Sequence, residues 1–297
     1  MHVGQTMCVD FQNRVISLEL WIDEPRRVAL NEGYFRELRD QGIDSIAIMI
    51  DKSDREWKST WSFQDIEMAL RLSDPYAMEV ILTIWPYPTV SWMKSAFVDL
   101  RTMCEIGPIA AIEADLEFNW KTKYVEGFMA IPRGMSRLER AGNEYVSRLD
   151  DLVGEYQIRK EMTTFTSHTE NGRAATVSPH MDCVIVQAYA TRHRPGVRGN
   201  RVVIPWDHAY GPGYMQKYTL DRTMLVPGIA EKKVEVGYGH ALWDQHWPEH
   251  TPLEAMVKSF RESIAHSIGI TRVRCWSSKW RKRNSYASKF LMMLQEE

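Results

Sequence analysis

The sequence predicts an α/β fold, an eight-stranded parallel (β/α)8 TIM barrel, built as a single domain over residues 1–297. Three observations predict it. Eight short apolar, β-branched runs recur along the chain. Helical patterns with their own start and stop signals fall between most of them. Several runs are apolar almost throughout, as parallel strands covered on both faces must be.

The eight runs are Val15–Trp21, Ser45–Ile50, Glu79–Trp85, Ile109–Glu117, Arg159–Phe165, Asp182–Tyr189, Thr223–Ile229 and Arg272–Trp276. Alternation with helices implies βαβ units and a parallel sheet. Eight such units favour a closed barrel over an open doubly wound sheet, and the length suits it, since such barrels take about 250 residues.

The helices carry legible signals. Asn31–Gln41 turns Tyr34 and Leu38 inward and stops at Gly42. Ser62-x-x-Asp65 is a capping box that opens a helix with Ile66, Ala69 and Leu70 on its inner face. Ser91–Glu105 ends before Gly107-Pro108. Ser136-x-x-Glu139 opens a helix with Ala141, Tyr145, Leu149 and Leu152 inward. Thr251-Pro252-x-Glu254 joins an N-cap, a Pro at the first helical position and a box acid. The fifth connection, Phe165 to Asp182, leaves little room for a helix, and the sixth, Ala190 to Asp221, reads as a long structured loop.

Composition narrows the function classes. A formal net charge of −2 gives no electrostatic case for nucleic acid or an anionic membrane. The basic cluster Lys279–Asn284 is expected to be a solvated turn. No run approaches 18 apolar residues, so no membrane span or stable membrane association is expected. Protein partners are not specified by the sequence. Residues Met1–Phe11 lack a basic segment followed by an apolar run, so no signal peptide and a cytoplasmic site of synthesis are expected. Cys8, Cys104, Cys183 and Cys275 are widely spaced without a CxxC pair, which predicts reduced thiols and no zinc knuckle. Nine histidines form no H-x-H or HExxH, and Pro248 interrupts the His246–His250 pair, so neither a metal nor another cofactor is expected. Eleven Trp suggest flat apolar platforms near a cleft, suited to sugar faces, beside those that fill core.

The informative segment is Ile109-Ala-Ala-Ile-Glu-Ala-Asp-Leu-Glu117. Side chains alternate in a strand, so Glu113, Asp115 and Glu117 share one face and Ala114 and Leu116 the other. The apolar face packs under helices, and the acidic face points into the barrel toward its C-terminal mouth. Buried like charges repel, so at least one of the three is expected to hold a proton. Catalytic residues of this fold lie at C-terminal strand ends, where Glu117 stands.

Asp115-Leu-Glu117 resembles the D-x-E of chitinase-type glycosidases (family 18), whose fuller pattern is D-x-D-x-E; here Glu113 replaces the first Asp. The likeness extends to Gln187-Ala-Tyr189 at the end of the sixth run and to Trp276 at the end of the eighth. The lysozymes of family 25 share the barrel and a D-x-E on the fourth strand. They also use carboxylates near the end of the first, where this chain has Glu19 and Asp23 without that family's opening pattern.

The resemblance implies a retaining, substrate-assisted glycoside hydrolase. It makes Glu117 the general acid and then the base. Asp115 would hold the substrate acetamido group, with Tyr189 donating to it and Glu113 supporting Asp115 by sharing a proton. Trp276 would floor the sugar ring, with Gln187 beside it. Trp85, Tyr87 and Trp243 are candidate subsite aromatics, with Trp206 and Trp247, and Glu19 is a further candidate substrate contact. The implied substrate is a polysaccharide of N-acetylated sugars, peptidoglycan first. The chain then resembles phage-encoded lysis enzymes that act at the cell wall (endolysins). A chitinase and a non-catalytic sugar-binding barrel, a lectin, are the alternatives.

Overall fold

The computed structural model describes residues 9–10, 15–22, 30–51, 56–87, 89–116, 131–164, 180–187, 191–195, 201–205, 235–241, 252–255, 257–258, 261, 270–276, 289 and 293. The strands are β1 (Val9–Asp10), β2 (Val15–Ile22), β3 (Ile43–Met49), β4 (Glu79–Ile84), β5 (Ala111–Asp115), β6 (Arg159–Thr164), β7 (Cys183–Gln187), β8 (Thr191–Pro195), β9 (Arg201–Pro205), β10 (Glu235–Ala241) and β11 (Ile270–Trp276). The helices are α1 (Glu32–Asp40), α2 (Phe63–Ser73), α3 (Val90–Ile106) and α4 (Ile131–Tyr156).

Eight strands pair in parallel in the order β2-β3-β4-β5-β6-β7-β10-β11. β11 pairs with both β10 and β2, so the ring of pairings closes on itself. β1 adds an antiparallel edge to β2, and β8 and β9 form a separate antiparallel pair. The loop expected after Ala190 therefore contains a β-pair.

One strand of the ring differs from the sequence expectation. The position between β7 and β11 is held by Glu235–Ala241, which pairs with Cys183–Gln187 on one side and Ile270–Trp276 on the other. Thr223–Ile229 lies outside the described residues. Gly237 and Gly239 interrupt the β10 segment and leave it little of the apolar signal of a buried strand.

Local chemistry accounts for the helices between the first strands. Asn31 Oδ1 accepts the Tyr34 amide at 3.0 Å and caps α1, and the chain leaves that helix through Gly42 at φ 78°, a left-handed turn that favours glycine. Phe35 and Leu38 are the fully buried residues of α1, with Tyr34 only half-buried. At α2, Ser62 Oγ accepts the Asp65 amide at 3.1 Å while Asp65 Oδ2 accepts the Ser62 amide at 3.0 Å, which completes the capping box. The fourth helix begins at Ile131, ahead of the Ser136 start signal, so Ser136 is a helix-interior residue. Its Ala141, Tyr145, Leu149 and Leu152 are buried. Helical residues also occur at 253–255, between β10 and β11.

Alternation along the strands separates two cores. Ile46, Ile48 and Ile50, then Val80, Leu82 and Ile84, then Ile112, Ala114 and Leu116 all join the large apolar cluster shared with the helices. The intervening Ala47, Ile81 and Ala111 form a small cluster of their own inside the ring. The inward face of these three strands is thereby known residue by residue. Cys104 and Cys183 are buried free thiols, and burial pushes the Cys104 thiol up to about 12.

Candidate active site

Three inward layers stack along β3, β4 and β5. The register pairs Ala47 with Ile81 and Ile81 with Ala111, then Met49 with Thr83 and Thr83 with Glu113. Two residues further along, toward the C-terminal mouth, come Asp51, Trp85 and Asp115. Along these three strands the lowest layer is apolar, the middle layer carries a carboxylate, and the rim layer carries two.

Glu113 is fully buried and surrounded by donors. Thr83 Oγ1 donates to its Oε2 at 3.1 Å, and Thr163 Oγ1 donates to its Oε1. Arg274, from β11, forms an ion pair with Glu113 Oε2 and donates to Thr163 Oγ1 at 3.0 Å. The acidic face of β5 thus meets a cation from the far side of the ring. Repulsion among the carboxylates is relieved at Glu113 by Arg274, a residue the expectation of a shared proton left out.

A second buried carboxylate, Glu161, lies one strand on, in register with Glu113. Its Oε1 accepts from Arg272 Nη1 at 2.6 Å and from Arg159 Nε at 3.1 Å, and its Oε2 lies 3.8 Å from Arg274 Nη2. Arg159 also grips Glu79 with two hydrogen bonds, at 2.9 and 2.5 Å. Burial pushes the Glu79 carboxyl up, but the Arg159 guanidinium outweighs it and holds the group below its ordinary value. The lower barrel is therefore an ionic lattice of alternating sign, which locks the walls beneath the mouth.

Asp115 is the last residue of β5 and is 2% exposed. Trp85 and Tyr87 are half-buried on the segment after β4. Glu19 and Trp276 are fixed as backbone positions: Glu19 pairs with Arg274 on one side and Ser45 on the other, and Trp276 pairs with Trp21 and Ala241. Gln187 ends β7 and pairs with Gly239. Glu117, Tyr189 and Trp243 lie outside the described residues. Asp115, Trp85 and Tyr87 thus come together at one end of adjoining strands, and Glu113 stands one layer below.

Asp51 belongs to this rim and escaped the sequence reading. Its Oδ1 accepts the Trp85 amide at 2.6 Å, and desolvation raises its carboxyl to about 7 against that hydrogen bond and one from its own amide. The signal was present: the apolar run Ile46–Ile50 ends in an acid at a C-terminal strand end. Among the described residues, no group of three or more His, Cys, Asp or Glu is arranged to hold a metal ion, and no helix is long and apolar enough to cross a membrane.

Comparison with known proteins bears on the fold. No protein-family model matches the sequence, and no curated protein is similar to it in sequence. Solved structures are similar over nearly the whole chain. A GH113 β-1,4-mannanase has a TM-score of 0.61 at 9% identity, covering 95% of this chain and 98% of its own. A GH18 chitinase from Pseudoalteromonas aurantia has a TM-score of 0.56 at 11% identity, covering 93% of this chain and 99% of its own. A tryptophan synthase α-subunit from Pyrococcus furiosus has a TM-score of 0.52 at 12% identity, covering 95% and 96%. These neighbours are TIM-barrel folds, and at such identities the likeness is one of fold, which this chain shares.

Proposed function

We propose that the chain is a glycoside hydrolase acting on a polysaccharide of N-acetylated sugars, with Glu117 as general acid and Asp115 as the group that holds the substrate acetamido. The observation that carries the reading is Asp115 itself. It is a buried carboxyl at the last position of a barrel strand, above an ion-paired Glu113 and beside the Trp85 segment. Glu113 serves the bridge below, and Asp115 stands at the strand end, where catalytic groups of this fold gather. Two of the similar solved structures are a chitinase and a mannanase, which adds support for a polysaccharide substrate. The same reading takes the chain as one catalytic domain with the complete (β/α)8 repeat.

In this mechanism Asp115 orients the acetamido so that its carbonyl oxygen attacks the anomeric carbon. Glu117 gives its proton to the departing glycosidic oxygen. Glu117 then takes a proton from the water that opens the cyclic intermediate, so configuration is retained. Tyr189 donates to the acetamido, Trp276 stacks under the ring with Gln187 beside it, and Trp85, Tyr87 and Trp243 line further subsites. Peptidoglycan is the first substrate to test, because Asp115-Leu-Glu117 resembles the D-x-E of the family 25 lysozymes as well as that of the chitinases.

The deciding experiment follows turbidity loss of purified cell walls beside release from colloidal chitin and mannan, with wild type and Glu117→Gln. The expected result is release from an N-acetylated glycan that falls by about a hundredfold or more in the variant. Absence of release from every substrate overturns the hydrolase reading and favours a sugar-binding barrel. Undiminished release by Glu117→Gln overturns the assignment of the acid.

A further inference from the structure

We propose that Asp51 is a sugar-binding carboxyl at the rim of the barrel mouth, where its Oδ2 takes a hydrogen bond from a hydroxyl or amide of the glycan unit seated beside Asp115. The proposal rests on the glycan-site reading of the mouth and adds to it a group that the D-x-E resemblance does not supply.

Alternation places the side chain. Ile46, Ile48 and Ile50 pack into the helix-facing core, so Ala47, Met49 and Asp51 continue the inward face. Register places the level. Met49 pairs with Thr83 and Thr83 with Glu113, so two residues on Asp51 stands beside Trp85 and Trp85 beside Asp115. The bond from the Trp85 amide to Asp51 Oδ1 fixes that neighbourhood directly. Strands in a sheet lie about 4.8 Å apart, so Asp51 and Asp115 bracket a gap of two strands, roughly 10 Å along the wall. A sugar ring reaching both carboxyls would lie over Trp85, which stands between them.

The backbone at Asp51 is held on both sides. Ile50 donates its amide to Thr83 O at 2.9 Å, and Thr60 donates its amide to Ile50 O at 2.7 Å, while Asp51 itself bridges to Ser59. The carboxyl is therefore presented by a rigid element, as a binding group should be. Asp51 is 2% exposed, yet its Oδ2 has no hydrogen-bond partner among the described residues, and no Lys or Arg of those residues pairs with it. A buried oxygen left without a donor destabilises the protein, and a ligand hydroxyl or amide would satisfy it. If anchoring the Trp85 amide were its only task, one oxygen would suffice and an Asn would serve without a burial cost for charge. The raised carboxyl of Asp51 fits this setting, since a group that is part acid near neutral pH can accept from or donate to a sugar.

The test is calorimetric binding of tetrasaccharides of N-acetylglucosamine, mannose and glucose, and of soluble peptidoglycan fragments. The titrated proteins are Glu117→Gln, which prevents turnover, and Glu117→Gln with Asp51→Asn. The Asn keeps an acceptor for the Trp85 amide. The expected result is that Asp51→Asn weakens binding of the N-acetylated glycan about ten- to a hundredfold, the range of a hydrogen bond to a charged group. Equal affinity in the two proteins overturns the role of Asp51 and leaves the hydrolase reading standing. Binding only of a mannose or glucose oligomer, weakened by Asp51→Asn, supports Asp51 and overturns the N-acetylated substrate. Binding of none of the glycans overturns both. A measurement on protein with wild-type Asp51 guards against a folding defect. In protein labelled with 13C at the aspartate carboxyls, the signal with a midpoint of about 7 must move on saturation with the bound glycan, and an unmoved signal overturns the proposal.

Discussion

Arg274 crosses the barrel interior to reach Glu113. The arginine comes from the last strand of the ring and the glutamate from the fourth, and both are buried. The arginine's second contact, with Thr163 of β6 at 3.0 Å, ties the fifth strand of the ring into the same bridge, since Thr163 also donates to Glu113. One guanidinium thus links opposite walls below the mouth. It sets the height and direction of the β5 face on which Asp115 stands.

Removing one partner should reveal that link. Arg274→Met leaves Glu113 buried without its cation and should cost on the order of 3–5 kcal/mol in denaturant unfolding. The double variant Glu113→Gln, Arg274→Met should recover much of that loss, because no uncompensated charge remains. A double variant no more stable than Arg274→Met alone would show that the bridge does not set the cost.

The barrel was legible where the physics is local and repetitive. Ile46–Ile50 and Val80–Ile84 read as buried strands because apolar residues fill both faces of their strands or nearly so. The α2 capping box was legible because it depends on two residues three apart. Glu235–Ala241 was not, since its membership of the ring comes from the pairing partners on either side rather than from its own glycine-interrupted pattern. At the site, alternation correctly brought Glu113 and Asp115 to a common buried face. It could not bring in Arg274, which meets Glu113 only through closure of the ring, 161 positions away in the chain. A signal did exist: Arg272 and Arg274 alternate on one strand as Glu113 and Asp115 do on another, and charges at period two in otherwise apolar runs ask for partners of opposite sign.

The Ser62 cap offers a clean local check. Ser62→Ala removes the acceptor of the Asp65 amide while the helix behind it keeps its buried Ile66, Ala69 and Leu70. The expected cost is about 1 kcal/mol of unfolding free energy. Ser62→Asn, which restores an acceptor, should recover most of it in the same measurement.

Tyr145 should tolerate loss of its hydroxyl. The ring is fully buried in α4 and packs edge-on against Phe97 at 5.6 Å between centroids, but its hydroxyl oxygen has no hydrogen-bond partner among the described residues. Burial, with Glu113 and Asp51 nearby, pushes its ionisation up. Tyr145→Phe keeps the aromatic contact and removes the buried polar atom, so it should raise stability by about 1 kcal/mol or leave it unchanged. A loss of more than about 1 kcal/mol in chemical denaturation would mean that the hydroxyl is satisfied in solution.

Asp51 should make the protein less stable as pH rises toward neutrality. Its folded carboxyl lies at about 7 against an ordinary 3.8, chiefly because burial disfavours the charge. Between those values the folded chain holds a proton that the unfolded chain has released. Unfolding therefore becomes easier as pH rises through this window, and the effect levels off once the folded group has ionised. The full span corresponds to about 4 kcal/mol. Asp51→Asn has no such proton to lose. Denaturant unfolding at pH 5 and pH 8 should therefore show the variant gaining on wild type by a few kcal/mol at the higher pH, with most of the change complete by about pH 8. Parallel pH profiles for the two proteins would place the Asp51 carboxyl near its ordinary value and would remove the case for an unusual proton at the rim.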